Sequence, residues 1–538
     1  MKKLLTLVLA LAMVLSVCAF SASAEELTDG KFAETRHITV EIYNRNNDGG
    51  TDPTNNVYTD YIKQGMLDKH NVEVEFVSIG RWTEVDDMNT ALAAGDAPDV
   101  CVTYSYPTIA KYAQMGGIVN LNDIGGKALE EYKDVLPNLW NLLGPTNNIF
   151  WDQDPTTGDL WAIEATLAEN ARINTFIRED WLDKLGLALP TTEEEFHDCL
   201  VAFRDNAETL LGADADKMVP YSTSYDIGWR NDLLFMAYVP DDVKDEDLYI
   251  HGFDDRHLLY PNYKEGVRVL NKWYNEGLVW KDFAEYAQDS AHEDDMMKAG
   301  FVGAFQHNWD YPYRGGDDSI QANIQRSAGD DAAYVAVDCF VNDAGVHRKF
   351  LAPPIDRKVF FPATNDEPLA SLLYLDFISD PETIAFLQLG KEGESYNAVE
   401  GGYEKLATTG DWLQNSLNNI DYTITVNGLY LGDATTVTTA LGYAPVASDL
   451  ITIANAAAKA DGRIVKVFNC GDIASEQEYG TQLPTFRDTL LNKAVTASEA
   501  DFDAVYDQGM DDYLANGGQE IIDERTAKIE EFYGYKAE

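Results

Sequence analysis

The stretch Phe176 to Asp205, FIREDWLDKLGLALPTTEEEFHDCLVAFRD, leaves the chain few ways to fold locally. A short apolar run ends in an amphipathic turn of helix with Trp181, Leu182 and Leu185 on one side, and Gly186 is placed to stop it. Pro190 then sets an extended entry. Thr191 and Thr192 can each cap a second helix, and Glu194 and Glu195 stand three residues on to complete either capping box. Phe196, Leu200 and Phe203 continue the apolar stripe at helical spacing. Strand, short helix, tight loop and capped helix is a module of α/β architecture.

The preceding chain repeats that alternation. Ile38 to Tyr43 alternates as a half-buried strand, Asn44 to Asn56 is loop, and Tyr58, Tyr61, Ile62 and Met66 mark a helix. Val72 to Ile79 reads as a second strand and Val85, Met88 and Leu92 as a second helix; Gly95 closes it, Pro98 prevents its continuation, and Asp99 to Tyr104 is a third strand. Short links between such elements predict an open, largely parallel sheet. Further on, Tyr263 to Glu276 reads as a helix stopped by Gly277. Pro362 to Asp380 carries another, capped by Asn365 or Asp366, with Leu369, Leu372, Leu373 and Phe377 as its apolar face. Near the terminus Ser498 and Asp501 form a capping pair and Gly517-Gly518 separates two amphipathic helices. There is no internal sequence repeat.

Lys2 and Lys3, the apolar run Leu4 to Phe20 and Ala22-Ser23-Ala24 predict a signal peptide over 1–24, with Glu25 as the first mature residue. The alternative is a lipid anchor at Cys18, since Leu15-Ser16-Val17-Cys18 resembles a lipobox from which Val17 departs. No second apolar segment reaches about 18 residues, so the rest reads as soluble. A chain of 538 residues implies two or three domains. Its net charge of −51 repels nucleic acid and anionic lipid, and disfavours an anionic ligand unless a local basic pocket receives it. Cys101, Cys199, Cys339 and Cys470 have neither disulfide-framework nor zinc spacing, which predicts buried free thiols.

As a string, IREDWLDKLGLALPTTEEEF resembles the signature of extracellular solute-binding proteins of bacterial sugar-type ABC transporters, the maltodextrin-binding type and its long lipoprotein-like branch. LAAGDAPDV (92–100), KYAQMGGIVNLNDI (111–124), NKWYNEGLVWKDFAE (271–285), MMKAGFVGAFQHNW (296–309), PATNDEPLASLLYLDFISD (362–380) and the terminal segment from Asp501 resemble successive passages of that family. WDQDPTTGDLWAIEATLAENARINTFIRED (151–180) resembles its passage between lobes, with Glu164 where the family usually has Pro. The resemblance implies a type II periplasmic-binding-protein fold: two α/β lobes joined by crossing strands, with an interlobe ligand cleft. Lobe 1 would comprise 25–167 with 362–410, and lobe 2 168–361 with 411–538. It further implies a monomeric receptor at the cell surface or in the periplasm, with no cofactor, that hands a carbohydrate to the permease subunits of an importer. A peptide or another small solute is the alternative ligand.

In open α/β sheets ligands sit beyond the carboxyl ends of the strands. That rule nominates Tyr43, Asn44 and Arg45, then Arg81 and Trp82, then Tyr104, Ser105 and Tyr106, types that stack on sugar faces and hydrogen-bond hydroxyls. The resemblance adds Glu169, Asn170 and above all Trp309, whose neighbours His307, Asn308, Asp310, Tyr311 and Tyr313 suit a polar cleft. Trp181 and Trp273 lie on helical stripes and read as core. Asp152, Asp154 and Thr156 alternate like the start of a calcium loop, but Thr157 stands where Gly is required and Glu164 comes one residue late; no metal site is predicted. His251 and His257 lack zinc spacing and read as surface histidines. The chain has no G-x-S-x-G elbow, no H-E-x-x-H helix and no phosphate-cradling loop, so binding is expected over catalysis. A secreted glycoside hydrolase is the enzymatic alternative, since 91 acids always bring some pair together.

Overall fold

The computed structural model describes residues 27–45 and 52–537, apart from 105, 155–156, 225, 255, 287–289, 342–344, 348, 407–408 and 472. The expected signal peptide, Cys18 and Ser105 therefore lie outside the described residues, and so does the side chain of Tyr106. The described residues divide into two compact units, one within 27–165, 357–387 and 413–425, the other within 166–356, 388–412 and 426–537. Segments 388–410 and 413–425 thus fall in the opposite units from those expected.

In chain order the first strands are β1 (Arg36–Asn44), β2 (Val72–Gly80), β3 (Cys101–Thr103), β4 (Ile163–Leu167) and β5 (Ile173–Arg178). They are followed by β6 (Val219–Ser222), β7 (Val302–Asn308), β8 (Tyr334–Val337), β9 (Lys349–Leu351) and β10 (Ile355–Phe360). In the first unit β1 pairs in parallel with β2, residue for residue from Arg36–Val72 to Asn44–Gly80. A parallel bridge between Val40 and Val100 joins β1 to the run that becomes β3. β3 pairs antiparallel with β10, which neighbours β4. In the second unit a parallel bridge joins Val279 to Tyr221 on β6, β6 runs parallel to β7, and β5 lies antiparallel between β7 and β8. Each unit is therefore a mostly parallel sheet with one reversed strand, and that strand, β10 or β5, is reached where the chain has passed from the other unit.

The anchor stretch folds as its spacing predicts. The helix Glu179–Leu185 ends at Gly186, whose φ of 68° is open to glycine at no steric cost. Thr192 caps the helix Glu193–Asp205, its hydroxyl accepting from the Glu195 N–H. Glu195 reaches back one residue further than a capping box requires and accepts from the N–H and hydroxyl of Thr191. Trp181 meets Phe203 edge to face at 5.1 Å, and Phe196 lies 5.8 Å from Trp273, so both expected core tryptophans sit in the second unit's apolar interior. Such aromatic pairs add roughly 0.5–1.5 kcal/mol each beyond the area they bury.

The helix Pro368–Ile378 belongs to the first unit and differs from expectation. Residues 369–378 are buried all round, so it is a core helix with no single apolar face. Its N-cap is Glu367; the Asn365 side chain accepts from the Glu367 N–H, tightening the turn before the helix. Cys101, Cys199, Cys339 and Cys470 are buried free thiols.

Candidate functional site

At the carboxyl end of the first unit's sheet, Arg81 follows directly on β2, its N–H held by the Asn44 carbonyl where β1 ends. Its guanidinium lies over the Tyr104 ring at 4.1 Å and within 5.2 Å of the Tyr43 and Trp82 ring centres. Glu84, buried in the first turn of the helix Glu84–Ala94, accepts from the hydroxyls of Tyr43 and Thr103 and from the Tyr104 N–H, and pairs with Arg81 at 3.3 Å. Arg45 closes on the buried Asp421 through two parallel bonds of 2.7 and 2.8 Å. Arg357, also buried, donates to the carbonyls of Ile420 and Thr423. Glu41 is buried on β1, and loss of solvation pushes its carboxyl well above the usual range.

These contacts sort the expected residues. Trp82 is 74% exposed and its indole is available to a ligand. Arg81, Tyr104 and Asn44 are half-buried beside it. Tyr43, by contrast, is 1% exposed; its hydroxyl donates to Glu84 and to the Val102 carbonyl, and its ring supports Tyr104 at 6.2 Å from beneath. It is a supporting residue here, because both faces of β1 are covered from Val40 to Tyr43.

In the second unit the corresponding end is formed by the start of the reversed β5 and the ends of β6, β7 and β8. Glu169 accepts from Asn455 and pairs with Lys459 at 2.9 Å, and the Asn170 carbonyl accepts from the Ala352 N–H. Trp309 follows β7, but it is 6% exposed, packs edge to face on Tyr443 at 6.1 Å and lies in the unit's core. His307 is 2% exposed, stacks on Tyr311 at 3.3 Å, and burial pushes its imidazole well below its usual value. Tyr311 is half-buried, and its hydroxyl donates to Asp294. The cluster around Trp309 is thus largely an aromatic loop packed on itself.

Beneath these strand ends runs a buried ion pair. Arg230 grips Glu293 with bonds of 2.6 and 2.8 Å and donates to the Gln306 carbonyl; Ser222 and Ser224 donate to the same carboxylate. Burial alone would raise the Glu293 pKa, but Arg230 and the two hydroxyls outweigh it and hold it low.

Sequence reasoning missed a second aromatic–arginine group. Trp229, half-buried in the short helix after β6, lies 4.9 Å from Arg172 and 5.2 Å from Arg256, whose guanidinium is bound by Asp226. The signal was weak: Trp229 lies in the helix Ile227–Arg230 after the strand Val219–Ser222, further from its strand end than Trp82 is from β2, so the strand-end rule reaches it only loosely.

Glu164 lies buried on β4 and pairs at 2.9 Å with Lys358 of neighbouring β10. An ion pair across the strands therefore occupies the position where the resembled family usually has Pro. His257, read as a surface residue, is buried with its Nδ1 3.3 Å from Asp232 and its ring stacked on Tyr260. Among the described residues no group of three or more His, Cys, Asp or Glu is placed to hold a metal ion. No helix among them is long and apolar enough to cross a membrane.

Two α/β units, each a largely parallel sheet with one reversed strand and with aromatic and polar groups gathered at the strand ends, define a binding-protein fold. A family model described as "Bacterial extracellular solute-binding protein" matches residues 53–292. Over that span the chain is similar to these solute-binding proteins. The polygalacturonan/rhamnogalacturonan-binding protein YtcQ of Bacillus subtilis is 21% identical over 476 residues, 84% of this chain and 85% of its own. A solute-binding protein of Bifidobacterium longum infantis, described as HMO-binding and ABC-transporter-associated, shares the fold with a TM-score of 0.60 at 15% identity, covering 92% of this chain and 99% of that one. The Streptococcus pneumoniae substrate-binding protein FusA in complex with kestose superposes with a TM-score of 0.57 at 15% identity, over 93% of this chain and all of that one.

Proposed function

We propose that this chain is the substrate-binding receptor of a bacterial ABC importer, capturing a carbohydrate, an oligosaccharide or modified sugar, and delivering it to the membrane permease. The observation that carries the reading is the strand-end group of the first unit. Trp82 offers an open indole, and Arg81, Tyr104 and Asn44 offer donors and acceptors beside it. Stacking on one sugar face with hydrogen bonds to its hydroxyls is what carbohydrate recognition requires. The similarity to YtcQ, a polygalacturonan/rhamnogalacturonan-binding protein, and to FusA, a fructooligosaccharide ABC transporter substrate-binding protein, supports the same class.

The work of such a receptor is thermodynamic: solute favours one arrangement of the chain, which a permease then recognises. Catalysis is not part of this reading. The protein acts outside the cytoplasmic membrane as a monomer, released at Glu25 or held by lipid at Cys18; mass spectrometry of the mature N-terminus distinguishes the two.

A thermal-shift screen of the mature protein against neutral and acidic oligosaccharides, peptides and other small solutes tests the proposal. A ligand that binds the native state raises the melting temperature by mass action, about 2.7 kcal/mol at a hundred times Kd. An oligosaccharide is expected to do so and to be recovered unchanged. Trp82→Ala is expected to weaken it ten-fold or more, about 1.4 kcal/mol, with the unliganded melting temperature unaltered because the indole is exposed. Turnover of the sugar would make the protein a hydrolase, and stabilisation by peptides alone would sink the carbohydrate assignment.

A further inference from the structure

Three guanidiniums meet at the carboxyl end of the first unit's sheet, and they are not equally engaged. Arg45 is closed on Asp421 by two parallel bonds, and Arg357 donates to two backbone carbonyls. Arg81 makes one contact, at 3.3 Å, with a Glu84 carboxylate that already accepts from two hydroxyls and a backbone N–H. Its Nε is buried and has no hydrogen-bond partner among the described residues. The Tyr104 ring covers the flat face of the group at 4.1 Å, which leaves the in-plane N–H donors as its free chemistry.

A planar fork of donors with its face stacked and one nitrogen unsatisfied is preorganised for a partner that accepts two parallel bonds. A carboxylate does this; a single hydroxyl does not. Leaving the buried Nε without an acceptor carries a desolvation cost, which such a ligand would offset. The charge balance agrees. In a chain of net charge −51, this end gathers Arg45, Arg81 and Arg357 around the carboxylates of Glu84 and Asp421, the local excess of positive charge that an anionic ligand needs. The second unit independently places a half-buried arginine on an aromatic face at its own strand ends, Arg172 on Trp229.

We infer that Arg81 determines specificity by receiving the carboxylate of an acidic sugar, a uronic acid residue of the oligosaccharide, with Trp82 and Tyr104 beside it for the ring. This rests on the carbohydrate-receptor reading above and names its substrate class.

The test is calorimetric titration of the full mature chain with an α-1,4-galacturonide trimer and a glucuronic-acid-substituted xylotriose, each against its neutral counterpart, α-1,4-galactotriose and xylotriose. At least one acidic sugar is expected to bind ten-fold or more tighter than its neutral partner. Arg81→Gln should cut affinity for the acid at least thirty-fold and for the neutral sugar several-fold less. Arg81→Lys, which keeps the charge but not the fork, should recover only part of the loss; both variants are checked for an unchanged melting temperature. Neutral sugars binding as tightly as acidic ones, or Arg81→Gln weakening both classes alike, overturns the assignment of Arg81 and leaves the carbohydrate receptor standing. Binding of no saccharide of either charge, with another solute bound, overturns the carbohydrate reading and this inference with it.

Discussion

Glu41 shows how one side chain carries a cost that nothing in its sequence neighbourhood announces. It points inward from β1, one carboxylate oxygen accepting the Val102 N–H and the other without a partner among the described residues. Burial, set against that bond and compounded by nearby Glu84, favours its protonated form. The folded state therefore keeps a proton that the unfolded chain loses near pH 4.3, so this group's contribution to stability falls as pH rises from there to its raised value. Glu41→Gln retains an acceptor for Val102 and has no proton to lose. Its melting temperature should decline less between about pH 4.5 and 7 than that of the parent. Parallel melting-temperature profiles from scanning fluorimetry would show Glu41 ionised in the fold. Tyr43, two residues on, reads from sequence as a ligand contact; it shares the face of Thr39 and Glu41 and is buried because both faces of β1 are covered from Val40 to Tyr43, which alternation alone does not announce.

At the scale of elements, the helices whose apolar residues recur at helical spacing were legible, while those defined by packing were not. Glu193–Asp205 has both a stripe and a cap, so its limits follow from local chemistry. Pro368–Ile378 is apolar on every side, and periodicity cannot orient a helix that has no polar face. Its one buried charge, Asp376, has a task 238 positions away: it accepts from the N–H groups of Asn138 and Leu139 at the start of the helix Pro137–Leu143. A carboxylate there satisfies donors that the helix leaves unpaired. Asp376→Ala should destabilise the first unit by about 1–3 kcal/mol, read as a lower midpoint in urea. An unchanged midpoint would mean that water replaces the carboxylate without cost.

For the whole molecule, the large excess of acids sets the response to salt. Ninety-one Asp and Glu against forty Lys and Arg repel one another in the compact state. Raising ionic strength from about 10 mM to about 150 mM shortens the Debye length to about 8 Å and screens that repulsion. The melting temperature of the unliganded protein should rise across that interval. A fall would mean that paired contacts such as Arg45–Asp421 and Arg230–Glu293 outweigh the general repulsion.

By itself the sequence determined the elements, the α/β class and the ends of strands at which a ligand site belongs, because capping, turn chemistry and hydrophobic period act within a dozen residues. The strand-end positions of Arg81, Trp82 and Tyr104 were legible for that reason. Only the tertiary structure decided that Tyr43, His307 and Trp309 are buried, that Arg357 and Asp421 meet at the end of β1, and that Trp229 stands between Arg172 and Arg256. It also decided the reversed strand of each sheet. These outcomes depend on partners brought together from distant parts of the chain, and no local pattern records which face of a strand those partners will cover.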